Sequence, residues 1–213
     1  MQWPLLADVP PDDLRQVLSI ARRRTFARNE IVFHRDDPAD TLHLVVSGRF
    51  ASRASTPSGD TVLLAVHGAG DTFGELALVG EGAARSATVA ALEPSETWSI
   101  LRGDFTQLVR RYPGVNSVLV AILAQQVRRA NERMIEAYYV DADTRVRRRL
   151  LELAELYGDG RIPLTQEDLA GMAGTSRATV NRVLREDARR GLVELGRGRT
   201  TVLRREDLAR RAR

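Results

Sequence analysis

The sequence predicts an α+β protein in three parts: an N-terminal antiparallel β-barrel or jelly roll, one long helix, and a C-terminal winged helix-turn-helix. Three observations predict it. Short runs between residues 30 and 101 alternate apolar and polar side chains with a period of two, separated by turn-forming clusters. Residues 115–140 contain neither Pro nor Gly and repeat apolar side chains at helical spacing. Residues 165–204 read as helix, glycine turn, helix, and then two strands about a Gly-Arg-Gly turn. The expected boundaries are 1–113, 114–140 and 141–213.

The first element is a helix over residues 11–23, PDDLRQVLSIARR, with acids in its first turn. The strands follow as EIVFHR, TLHLVVSG, RFASRAS, TVLLAVHG, ATVAAL and ETWSIL, with DDPAD, TPSGD and GAGD as turns. DFTQLVRRYPG returns to helical spacing and stops at Pro113-Gly114. In the long helix, Val120, Leu123, Val127, Ala130, Met134 and Ala137 recur at alternating steps of three and four, the seam of a two-stranded coiled coil. Val115, Val118, Leu119 and Ile122 form a second apolar face that suits packing on the barrel. The seam also fits a helix buried within its own domain; a parallel homodimer is the expectation.

Composition narrows the function. The chain has 213 residues, 43% of them hydrophobic and 28% charged, enough for one or two cores. Its apolar runs are too short to span a bilayer, and MQWPLLADVPPDD lacks a signal-peptide pattern, so a cytoplasmic protein without a membrane partner is expected. There is no Cys, which excludes disulfides and thiolate-held zinc or iron–sulfur clusters. All 32 basic residues are Arg. Residues 1–143 carry a net charge of −3 and residues 144–213 a net of +7, which suggests a polyanion-binding module behind a mildly acidic body.

After a break at Val140-Asp141-Ala142-Asp143, Thr144–Tyr157 reads as an Arg-rich amphipathic helix, and GDGRIPL as a turn and short strand. In TQEDLAGMAGTSRATVNRVLREDARR, Thr165 and Asp168 have the spacing of a capping box, Gly174 ends the first helix and Ser176 caps the second. Leu169, Ala170, Ala173, Val180, Val183 and Leu184 point inward, leaving Arg177, Ala178, Asn181, Arg182 and Arg185 outside. Arginine donates twice to guanine O6 and N7 or neutralises phosphates, so this face suits double-stranded DNA. The residues expected at DNA are Thr165, Ser176, Arg177, Thr179, Asn181, Arg182 and Arg185. GLVELGRGRTTVLRR forms the wing. The alternative is a solvated, Arg-rich helix pair.

The stretch FGELALVGEGAARSATV, residues 73–89, places a lone Glu in an apolar, Gly-flanked run and Arg-Ser ten residues on. Gly74 permits close approach of backbone, GELALV can form a helical turn with free N–H groups, and Arg85 offers a fork-shaped cation. Ser86 adds a hydroxyl. Glu75 fits beside an anion that carries a ribose hydroxyl. A structural Glu–Arg pair across a turn is the alternative. GELAL at 74–78, RSATV at 85–89 and SRATVNRVL at 176–184, in this order of parts, resemble the cAMP receptor protein family of bacterial regulators (the Crp–Fnr superfamily) over nearly the whole chain. The resemblance implies a cyclic-nucleotide-binding N-terminal domain whose phosphate cassette contains Gly74, Glu75, Leu76, Arg85 and Ser86. It also implies two adenine contacts on the long helix, matched to Ala130 and Asn131, with Leu64 and Phe73 as an apolar floor. Here Ala130 offers only packing where hydroxylated residues are usual, and Ala178 stands where an acceptor for cytosine N4 is usual.

The expectation is therefore a homodimeric transcriptional regulator on a two-fold symmetric DNA site, controlled by a cyclic nucleotide, cAMP first, and in contact with RNA polymerase. No cofactor is expected beyond that effector. The alternative is a regulator of the same fold that binds DNA without cAMP or senses another effector, such as a haem-bound gas. For that, His34, His43 and His67 are the only imidazoles, each expected to be an ordinary half-exposed strand residue. An enzyme is not expected, since no nucleophile–base pair or metal-ligand set accompanies Glu75 and Arg85.

Overall fold

The computed structural model describes residues 3–55, 61–78 and 84–213; the expected TPSGD turn and Val79 of the GELALV turn lie outside these. Two compact units divide the chain, Met1–Ala54 with Ala65–Arg128, and Ser55–Leu64 with Arg129–Arg213.

In the first unit, a 3-10 turn at Pro4–Leu6 precedes α1 (Pro11–Ile20), which opens on proline and carries Asp12 and Asp13 in its first turn. Eight strands follow in two sheets, all within this unit except Ser55 of β4 and Thr61–Leu64 of β5: β1 (Arg22–Phe26), β2 (Ile31–Phe33), β3 (Thr41–Ser47), β4 (Phe50–Ser55), β5 (Thr61–His67), β6 (Thr72–Phe73), β7 (Thr88–Ala91) and β8 (Ser95–Leu101). The sheet orders are β1-β8-β3-β6 and β2-β7-β4-β5. Among the described residues the sheets do not close into a barrel; they form a jelly-roll-like sandwich, which decides between the two expected forms. At the sheet edges, β6 has two residues, and β2 shifts register against β7 between Ile31 and Phe33.

The core of the sandwich is Phe26, Val45, Phe50, Phe73, Val89 and Ala91, drawn from strands of both sheets. Phe50 lies edge-on to Phe26, with ring centroids 5.5 Å apart. The expected helix over 11–23 is two elements. It ends at Ile20, Ala21 turns extended (ψ 147°), and Arg22–Phe26 pairs antiparallel with β8. Burial of Phe26 and the cross-strand pair of Arg23 with Glu96 favour strand over helix there. Strand β6 was not expected from the sequence.

A second core lies on the other side of β3 and β8, where Leu42, Leu44 and Ile100 meet helices. Those helices are α1, α2 (Arg102–Arg111) and α3 (Pro113–Tyr139). Val115 and Leu119 are buried here, with Val118 and Ile122 packed beside them, as the second apolar face of the long helix requires. Of its seam residues, Val120, Val127 and Met134 are 56%, 59% and 55% exposed in the single chain, whereas Leu123 is half-buried against this core.

In the second unit, α4 (Ala142–Tyr157) is capped by the Asp141 carboxylate, which accepts from Thr144 N at 2.9 Å. Strand β9 (Arg161–Ile162), α5 (Gln166–Ala173), α6 (Arg177–Arg189), β10 (Val193–Gly196), β11 (Arg199–Val202) and α7 (Arg205–Arg210) follow. The Thr165–Asp168 capping box is present, Gly174 takes the left-handed conformation (φ 59°, ψ 48°), and Ser176 Oγ accepts from Thr179 N at 3.1 Å. The six expected inward residues of α5 and α6 are all buried. The wing is a three-stranded sheet, β10-β11-β9. Helix α7 was not expected. No helix among the described residues is long and apolar enough to cross a membrane.

Candidate functional site

Gly74 follows β6 with φ +81°, and a Cβ there would stand 2.8 Å from Arg85 Nη1 and 3.0 Å from Thr41 O. Glycine is required on both counts. What approaches its backbone is the Arg85 guanidinium. Arg85 is only 5% exposed; it donates from Nη1 to Thr41 O at 2.8 Å and from Nη2 to Thr41 Oγ1 at 2.6 Å. It lies over the Phe33 ring, 4.0 Å from the centroid, with Asp40 at 3.6 Å. Its Nε is buried with no hydrogen-bond partner among the described residues. Burial pushes the guanidinium below its ordinary value, and Asp40 and Asp37 oppose the shift.

Glu75 opens the expected helical turn, a 3-10 turn over Glu75–Leu78, and is buried. Its Oε1 accepts from Gln126 Nε2 of α3 at 2.9 Å. The structure thus brings Gly74 and Arg85 together, but commits Arg85 to Thr41 and Glu75 to Gln126 rather than to each other. A cavity of about 650 Å³ is lined by Arg22, Arg24, Phe33, Thr41, His43 and Arg85, among others, and Glu75 lies outside that lining. Ser86 is exposed beside Arg85, and Phe73 is buried. Leu64 and Leu76 are 40% and 42% exposed. Ala130 and Asn131 are exposed on α3, in the second unit. Sequence reasoning missed Gln126, Thr41 and the β1 arginines, because each meets the site from a distant segment with no motif of its own.

His43 is fully buried rather than half-exposed. Its ring stacks on Phe73 at 4.9 Å and 6°, and its Nδ1 is 3.1 Å from Thr97 Oγ1. Burial, then Arg85 and Arg24, lower its pKa to about 3. His67 is also lowered, by burial, and its Nε2 is 2.8 Å from Ser52 Oγ. His34 is exposed. A buried neutral His43 means that the unfolded chain takes up the proton first as pH falls. Its contribution is complete above about pH 6.5 and declines by about 1.4 kcal/mol per pH unit below that, down to the folded pKa. Denaturation of wild type and His43→Gln between pH 7 and 4.5 should show a shallower loss in the variant; equal slopes would contradict this.

On the second unit, Arg177, Ala178, Arg182 and Arg185 are exposed along α6, and wing residues Arg197 and Arg199 are exposed too. Thr165 and Ser176 hydroxyls serve as helix caps, with Thr179 Oγ1 3.0 Å from Ser176 Oγ. Asn181 Nδ2 donates to Gln166 Oε1 at 3.0 Å. Arg182 is paired with Asp143 of α4. Beneath this face, Arg147 Nε and Nη2 donate to Asp187 at 2.9 and 3.1 Å, both residues buried.

Comparison with known proteins agrees with both halves. The family description "Cyclic nucleotide-binding domain" matches residues 23–112, and "Crp-like helix-turn-helix domain" matches 144–211. The cyclic AMP receptor protein of Thermus thermophilus is 36% identical over 202 residues, covering 93% of this chain and 92% of that protein. The chain belongs to the Crp–Fnr family of transcriptional regulators. This Crp–Fnr protein is a DNA-binding regulator that carries a cyclic nucleotide-binding domain. A CRP-like cAMP-activated global transcriptional regulator of Mycobacterium tuberculosis is 32% identical over 195 residues, covering 88% of this chain and 87% of that one. The crystal structure of the Thermus thermophilus catabolite activator protein is similar at a TM-score of 0.58 and 33% identity, covering 98% of both chains.

Proposed function

We propose that this Crp–Fnr regulator is a cytoplasmic homodimer whose affinity for a two-fold symmetric DNA site is set by a cyclic nucleotide, cAMP first. The observation that carries the ligand half is Arg85, a buried guanidinium with an unpartnered Nε, seated against a glycine whose Cβ would displace it. A fork-shaped donor held out of water suits phosphate oxygens, which would take over the contacts now made by Thr41. Ser86 lies beside it for a second phosphate contact, Glu75 accepts from a ribose hydroxyl, and Leu76 and Phe73 form the apolar side. Names given to the 36% and 32% identical relatives support cAMP as the first nucleotide to test.

The dimer half rests on the exposed seam of Val120, Val127 and Met134, which a second copy of the helix would cover. Pairing also brings Asn131 of one chain toward the ligand of the other. Ligand binding then shifts the population toward the state with correctly spaced DNA modules, and RNA polymerase reads the result. The division into 1–113, 114–140 and 141–213 follows these roles.

A second reading is favoured by one residue. Ala130 has no hydroxyl for adenine, so an effector other than cAMP, or DNA binding without any, fits the same fold. Titration with cAMP and cGMP, following binding to a palindromic duplex selected from a random-core library, separates the two. A rise in affinity with cAMP is expected, on the order of tenfold or more. Equal affinity with and without either nucleotide would favour the second reading.

A further inference from the structure

Asp143 occupies the second position of α4, one turn before the buried ion pair that joins this helix to α6. Its carboxylate accepts from Arg182 Nη1 at 2.9 Å and from Nη2 as well. Arg182 remains 58% exposed at the side chain. A guanidinium has two bidentate edges, one across Nη1 and Nη2 and one across Nε and the outer hydrogen of Nη2. Asp143 uses the first edge. The second is left for an outside partner, and its paired donors match guanine O6 and N7.

We infer that Asp143 is a positioning residue for base reading by Arg182: it holds the arginine in the orientation that presents its free edge to a guanine. The inference rests on the reading that the outer face of α6 meets DNA. Two further observations support orientation over passive pairing. The mount is stiff, because four residues after Asp143 and five after Arg182 the buried Arg147–Asp187 pair fastens the same two helices. Glu186, one turn after Arg182 on α6, is paired with Arg190 and Arg211 instead, so the carboxylate hydrogen-bonded to Arg182 is that of Asp143. Pairing also neutralises Asp143, which removes the repulsion that an isolated carboxylate would bring to DNA phosphates. An exposed ion pair of this kind adds little to stability, so its removal should be read in recognition rather than in folding.

The test uses full-length wild type, Asp143→Ala, Asp143→Glu and Arg182→Ala, each selecting duplexes from a random-core palindromic library, with cAMP and without. Arg182→Ala should lose preference at one base pair of each half-site, which marks the guanine it reads. Asp143→Ala should reduce preference at that same base pair by about fivefold or more, given the size of a bidentate base contact. Affinity for random duplex should be unchanged or higher, and melting temperature unchanged. Asp143→Glu should recover part of the preference. A preference that rises or stays constant in Asp143→Ala would overturn the inference, the first outcome meaning that Asp143 sequesters Arg182. If Arg182→Ala leaves every position unaltered, base reading by Arg182 fails and the role of Asp143 falls with it.

Discussion

Asp187→Ala is expected to destabilise the second unit by about 3–5 kcal/mol, measured as a lower denaturation midpoint for that unit in the full-length protein. The Arg147 side chain is 6% exposed and that of Asp187 0%, and two parallel hydrogen bonds join them. Arg211, just after α7, adds a third contact, with its Nε 3.5 Å from Asp187 Oδ1. Truncation therefore leaves one guanidinium buried without its counter-charge and a second with a weakened one. The cost comes from the abandoned charge rather than from the strength of the pair. That distinction is measurable: replacing Arg147 by Met and Asp187 by Leu together should cost far less than Asp187→Ala alone. Because Asp187 lies on α6 itself, the single variant should also lose DNA binding as the helix loses its mount. A loss below about 1 kcal/mol would show that water reaches this pair.

The second unit was nearly all legible in the sequence because its determinants are local. Thr165 and Asp168 are three residues apart, the Ser176 cap comes two residues after Gly174, and the wing turns at Gly196-Arg197-Gly198. The first unit was legible only where alternation was clear. RRRTF has arginine on both faces of β1, so no period marks it as a strand; pairing with β8, whose partners lie 69 to 77 residues further on, decides its state. Whether two sheets close into a barrel depends on edge strands that local patterns do not measure. The same limit governs the candidate site around Arg85. A glycine admitting close approach was readable at 74, but that Arg85 itself makes the approach was not. Thr41 is 44 residues from Arg85, and Gln126 is 51 from Glu75.

Arg85→Ala should weaken binding of cAMP by roughly 10- to 150-fold in calorimetry, the equivalent of about 1.5–3 kcal/mol for a charge-assisted contact. The fold should tolerate the change. The backbone of Arg85 donates to Asp37 O and accepts from Asp36 N, both at 2.9 Å, and neither bond involves the side chain. Arg85→Lys keeps a charge but not the fork, so its loss should be smaller than that of alanine without reaching wild type. Gly74→Ala should approach the same defect from the other side, since a Cβ 2.8 Å from Nη1 forces the guanidinium from its seat and φ +81° adds strain. If both variants act through one guanidinium, the double variant should cost less than the sum of the two, because the clash disappears with Arg85. Wild-type affinity in Arg85→Ala would separate this residue from the ligand. Strict additivity with Gly74→Ala would mean that the glycine serves the turn alone.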